Sequence, residues 1–203
     1  MKIIKREEDV ISNLNDLDVL YSFKDFPVFM GCVEKESKKS EDLVCDMTWE
    51  ISKSTGCIQL SSLIPLDILY QSQHAGAVGD VWKNHHKKFA KFIETLGVKS
   101  VLEIGGAHGI LSKEYALLDN VKWTILEPNP APVEGVKAKF INGFFDNNFS
   151  YNHQIDAIIH SHVFEHIYYP DEFVANKSNF LNNGEMAIFS VPNMEVMLQK
   201  KYT

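Results

Sequence analysis

Cysteine is scarce in this 203-residue chain: Cys32, Cys45 and Cys57 are widely spaced and odd in number. A disulfide framework is therefore not expected, and a reduced, cytoplasmic setting is the simple reading. Positive charge is short as well, with 20 Lys and Arg against 27 Asp and Glu and a formal net charge of −7. That balance argues against nucleic acid as the main partner, since such proteins usually carry a basic patch. It leaves room for a small anionic acceptor at one local patch. No stretch approaches the roughly 20 apolar residues that cross a bilayer, so no membrane insertion is expected. The opening MKIIKREEDVISNLNDL is charged and amphipathic, without the apolar core of a secretory signal. Repeats and low-complexity segments are absent too.

What is present is an ordinary globular composition, 45% hydrophobic and 23% charged, which suits one domain with a small appendage. Residues 1–70 read as a small N-terminal module mixing a short amphipathic helix with strand-like pieces. PVFMGCV (27–33) is a short apolar run, and MTWEIS (47–52) alternates as a half-buried strand does. Lys53–Gly56 reads as a turn and CIQLS (57–61) as the returning strand, a hairpin held by Trp49, Ile51, Ile58 and Leu60. Residues 71–98 form a linker and a helix over 80–97, with Val81, Trp82, His85, Phe89, Phe92, Ile93 and Leu96 at helical spacing and Gly97 as its stop.

From residue 99 to 203 strands and helices alternate. Strands are expected at 100–104, 123–127, 138–141, 156–161 and 186–191, and helices at about 109–119 and 171–181. Short, β-branched apolar strands separated by helices predict a mainly parallel sheet covered on both faces, an α/β, Rossmann-like fold with five strands present. VLEIGGAHGIL puts Gly105, Gly106 and Gly109 between the first of these strands and the next helix. Glycine there permits a tight turn and close approach to a ligand, and the helix start offers free N–H groups. The dinucleotide spacing G-x-G-x-x-G fails because Ala107 holds the third loop position, and no G-x-x-x-x-G-K-[ST] run exists.

The observed form, with Glu103 two residues before the first glycine and Gly109 four after it, resembles motif I of class I S-adenosylmethionine-dependent methyltransferases. The resemblance implies S-adenosylmethionine as cofactor. Glu127, 24 residues after Glu103 and followed by Pro128, then stands where a carboxylate accepts both hydroxyls of a ribose. It reads equally as a solvated loop acid. In NGFFDN, Gly143 and Phe144 are placed to flank an adenine, while one of Phe144 and Phe145 belongs to the core.

After the fourth strand, DAIIHSHVFEHIYYPDEF carries His160, His162, Glu165 and His166, at the strand end where α/β sheets bind ligands. It resembles the S-H-V-L-E-H stretch of many small-molecule methyltransferases, and SVPN (190–193) resembles their fifth strand end. Three readings stay open. His166 is a general base that Glu165 orients; or His162 and its neighbours shape the methionine end of the cofactor pocket; or the group binds a metal, which the missing ligand spacing disfavours, so that none is expected.

The segment from residue 51 to 89 is similar to the linker region of sugar C-methyltransferases, in which a zinc module ends in C-x-x-C-G-h-h-Q-L (h, hydrophobic). Here Ser52 and Thr55 stand where both thiolates would be, before Gly56, Gln59 and Leu60. This implies a degenerate, metal-free module and favours O-transfer over C-transfer. Tyr70 and His74 are expected as substrate or lid residues, and His85 and His86 either reach the site or lie on a helix surface. The family's sheet has seven strands, whereas this chain stops shortly after the fifth, which would leave that strand as an exposed edge open to homo-oligomer pairing. The expected activity is methyl transfer to a small acceptor, a nucleotide-linked sugar or cell-surface glycan precursor. The alternative is a non-catalytic cofactor-binding or scaffolding fragment. A nicotinamide-dependent oxidoreductase is opposed by the loop spacing.

Overall fold

The computed structural model describes residues 2–29, 42–70, 79–115 and 120–201. His74, Cys32 and the end of the PVFMGCV run lie outside these. The chain divides into two units, residues 1–75 with 168–171, and residues 76–167 with 172–203.

The first unit contains β1 (Ile4–Lys5), β2 (Leu17–Pro27), β3 (Val44–Ser52), β4 (Ile58–Leu60), β5 (Ser62–Leu63) and α1 (Leu66–Leu69). Strands β2, β3 and β4 form an antiparallel sheet in that order, and β1 pairs with β5. The hairpin expected from MTWEIS and CIQLS is β3–β4, with Trp49 opposite Leu60 and Ile51 opposite Ile58. The expected N-terminal amphipathic helix is replaced by a polar turn. Both the backbone N–H and the hydroxyl of Ser12 donate to Asp9 Oδ2 (3.0 and 2.7 Å), and Asn13 adopts φ 57°. Short polar side chains that bond their own backbone compete with helix formation, and here they win.

The hairpin is also held differently from the apolar expectation. Ile58 is 54% exposed, whereas Asp9, Ser52 and Gln59 are buried. Thr55 Oγ1 donates to Asp9 Oδ2 (3.0 Å), Ser52 Oγ donates to Asp16 Oδ1 (3.0 Å), and the Thr55 N–H donates to Ser52 Oγ (3.2 Å). Ser52 and Thr55, the positions that resemble zinc-ligand positions, thus present neutral hydroxyls already engaged in hydrogen bonds. They do not fit a zinc ion, which takes thiolate, imidazole or carboxylate.

In the second unit, α2 (Asp80–Glu94) precedes β6 (Ser100–Ile104), α3 (Ile110–Glu114), β7 (Lys122–Glu127), β8 (Lys139–Asn142), β9 (Ala157–Ser161), α4 (Pro170–Phe180), β10 (Met186–Ser190) and α5 (Met194–Lys200). The five strands form one parallel sheet in the order β10-β9-β6-β7-β8. Strand alternation divides the core between its faces. Val101, Ile125 and Ile159 pack with Phe89, Ala90 and Ile93 of α2, whereas Leu102, Leu126 and Ile158 pack with Phe173 of α4. The helical stripe expected on α2 is only partly buried, because Val81 and Phe92 are 83% and 53% exposed. Strands lie within a residue or so of their expected positions, and α5 is an addition the sequence reading lacked.

Candidate functional site

The strand order reverses at β6: β7 and β8 extend to one side, β9 and β10 to the other. A crevice at the carboxyl ends of β6 and β9 is the usual ligand position in such sheets. The glycine loop follows β6 there, and its three glycines are each closed in by a different neighbour. A Cβ added at Gly105 (φ 70°) would stand 2.6 Å from Val163, and one at Gly109 (φ 72°) 2.8 Å from Val136. At Gly106 it would stand 2.7 Å from Ile125 and 2.8 Å from the Glu103 carboxyl carbon. Any side chain would push the loop off the strand ends.

Two buried carboxylates support this loop. Glu103 lies beneath Gly106, where Trp123 Nε1 donates to its Oε2 (2.7 Å). Burial pushes its pKa up to about 7; the Trp123 bond opposes that and Glu127 adds to it. Glu127 ends β7 and accepts the N–H of Ala107 on Oε2 (3.0 Å) and the N–H of Asn129 on Oε1 (3.1 Å). The first bond tethers Ala107 in a left-handed conformation, φ 41°. A carboxylate has about four acceptor positions, so two remain for other donors. The Pro128 carbonyl accepts from Asn142 Nδ2 (2.9 Å), and the Gly143 N–H donates to the Glu127 carbonyl (3.1 Å). Phe144 is 38% exposed, whereas Phe145 packs against Phe149, Phe173 and Phe180, so it is the core member of the pair.

Beyond β9, His162 takes φ 53°, and its Nδ1 lies 3.4 Å from Glu165 Oε1. Glu165 and His166 belong to a short 3-10 turn, Phe164–His166, where both are exposed. Glu165 thus approaches the His162 ring. His85, from α2, brings Nε2 to 2.8 Å from Ser161 Oγ. Tyr70 follows α1 in the first unit.

Residues 81–202 match the family described as a methyltransferase domain. The chain belongs to that family. No curated protein matches it. Among solved structures, a plantazolicin methyltransferase bound to a monoazolic desmethylPZN analogue and SAH is 20% identical, with a TM-score of 0.44 over 58% of this chain and 50% of the other. The N-methyltransferase NodS from Bradyrhizobium japonicum is 16% identical, with a TM-score of 0.47 over 58% and 71%. This chain therefore spans about half the length of the plantazolicin enzyme.

The methyltransferase domain also buries a lysine that sequence reasoning passed over. Lys177 Nζ donates to His160 Nε2 (3.1 Å) and lies 4.8–5.4 Å from the ring centres of Phe164, Phe173 and Phe189. A lone lysine on a helix reads as surface; of its four aromatic neighbours only Phe173 shares α4, and His160, Phe164 and Phe189 come from other segments.

Burial, with Lys177 adding, lowers His160 to about 3. Burial, with His85 and His162 adding, lowers His86 to about 4. Below pH 6.5 the unfolded chain protonates both imidazoles while the folded domain does not, so stability falls as pH drops. Glu103 opposes this between pH 4.5 and 7, where the folded state keeps a proton that the unfolded state has lost. Two histidines outweigh one glutamate. The urea midpoint is expected to be lower at pH 5 than at pH 7, and Glu103→Gln is expected to steepen the decline.

Proposed function

We propose that this chain binds S-adenosylmethionine and transfers its methyl group to a hydroxyl of a small molecule, a nucleotide-linked sugar or cell-surface glycan precursor. The observation that carries the reading is the glycine cradle beside Glu127, whose carboxylate has acceptor positions left for a ribose. Gly105, Gly106 and Gly109 would admit the cofactor backbone-close, with Gly143 and Phe144 beside the adenine and His162 towards the methionine end. When bound, the cofactor supplies an electrophilic methyl group, so alignment of the acceptor accounts for much of the acceleration. His166, with Glu165 near it, is one candidate to receive the acceptor's proton.

The reading extends to a cytoplasmic setting, supported by the free thiols of Cys45 and Cys57, and to a homo-oligomer joined through the β10 edge, where Phe189 is 50% exposed. No helix among the described residues is long and apolar enough to cross a membrane. Calorimetric titration with S-adenosylhomocysteine and with NAD tests the reading. Binding of the homocysteine product and not of NAD is expected; the reverse result would overturn it.

A further inference from the structure

Ser161 ends β9 and Ser190 ends β10, and the two residues are paired across the strands. Their hydroxyl oxygens lie 2.9 Å apart, and His85 Nε2 stands 2.8 Å from Ser161 Oγ and 3.5 Å from Ser190 Oγ. Lower down, α2 meets the sheet through Phe89, Ala90 and Ile93. At the carboxyl ends of the strands, where such sheets bind ligands, this contact is polar.

His162 extends the group. Its N–H donates to the Ser190 carbonyl (3.0 Å), and its ring centre lies 4.9 Å from those of Trp82 and His85. The next residue, Val163, is the one that closes on Gly105, so the group adjoins the glycine loop. With Nε2 unprotonated, Ser161 donates to His85 and Ser190 donates to Ser161. That arrangement leaves a lone pair on Ser161 Oγ for an incoming hydroxyl.

We propose that His85, acting through Ser161, takes the proton of the methyl acceptor, and that Ser190, His162 and Trp82 line the acceptor's place. This rests on the methyltransferase reading above. In the step, the acceptor oxygen forms a bond to the methyl carbon as the sulfur–carbon bond breaks and its electron pair returns to sulfur. The acceptor's proton passes to Ser161 Oγ while the Ser161 proton passes to His85 Nε2, leaving an imidazolium. Burial, with His162 adding, holds His85 below its ordinary range, so the ring is neutral and able to accept at pH 7. The titratable groups facing it are His86 on α2 and His162 after β9, with Glu165 Oε1 3.4 Å from His162 Nδ1.

The test compares the full chain with His85→Gln, Ser161→Ala and His166→Gln. Glutamine keeps a hydrogen bond to Ser161 but takes no proton. Methyl release is followed from S-adenosylmethionine onto a panel of nucleotide-linked hexoses, with S-adenosylhomocysteine calorimetry alongside as the check on folding. For His85→Gln, kcat is expected to fall by about a hundredfold or more, with KM and S-adenosylhomocysteine affinity little changed and the acid limb of the kcat–pH profile lost. Ser161→Ala is expected to lower kcat in the same sense. An unchanged kcat and intact acid limb in His85→Gln, or loss of both only in His166→Gln, would overturn the relay and leave methyl transfer standing. Failure of the unsubstituted chain to bind S-adenosylhomocysteine would overturn the methyltransferase reading itself.

Discussion

Replacing Glu127 by alanine is expected to weaken S-adenosylhomocysteine binding by about a hundredfold or more, since each charge-assisted hydrogen bond to the ribose diol contributes about 1.5–3 kcal/mol. The loss has a second source. Both carboxylate oxygens hold backbone N–H groups, those of Ala107 and Asn129, and alanine would release both. Ala107, left-handed at φ 41°, would lose the bond that holds it there, so the loop would no longer be pre-shaped for its ligand. Glu127→Gln keeps one carbonyl oxygen and is expected to recover part of the affinity. Calorimetry decides the matter: binding by Glu127→Ala equal to that of the parent would remove Glu127 from the ribose site.

Gly106→Ala carries the second large effect, and here stability and binding fall together. The added methyl would meet Ile125 and the carboxyl of Glu103, both of them buried and the latter fixed by Trp123. Neither is the free end of a flexible side chain, so the backbone must move. Overpacking of this kind costs about 1–3 kcal/mol, or roughly 2–12 °C in Tm for a chain of this size. A lower Tm with S-adenosylhomocysteine binding lost is the expected result in a thermal-shift titration. An unchanged Tm would mean that the loop sits more loosely on β6 and β7 than its contacts indicate.

The parts legible in the sequence are those with a local signal. Runs such as SVLEI and DAIIHS are apolar on both faces because helices cover both faces, and they fall on β6 and β9. The glycine loop was legible because its spacing and flanking acid repeat a pattern whose physical requirement is local. The N-terminal turn is not, because apolar and charged residues in MKIIKREEDVISNL satisfy a helical spacing while the Asp9 and Ser12 side chains accept nearby backbone N–H groups. Strand β2 has no such signal because LDVLYSFKDFP mixes apolar and polar residues without clean alternation, its register being broken between Val19 and Tyr21 and between Phe23 and Phe26. His85 illustrates another limit. Helical periodicity places it on α2, yet its partners, Ser161 and Ser190, are 76 and 105 residues away, and no spacing rule joins them.

The hydroxyl-and-carboxylate turn of the first unit has a wider consequence. A fold clasped by thiolates depends on metal supply and is open to oxidants. Here Ser12, Ser52 and Thr55 present groups that neither chelators nor peroxides attack. Burial pushes the Asp9 carboxyl up, but bonds from Ser12 and Thr55 outweigh it and hold it below its ordinary range. That stabilisation is present at neutral pH and is lost as pH falls through the folded value. The stability of this turn is therefore sensitive to acid rather than to metal supply.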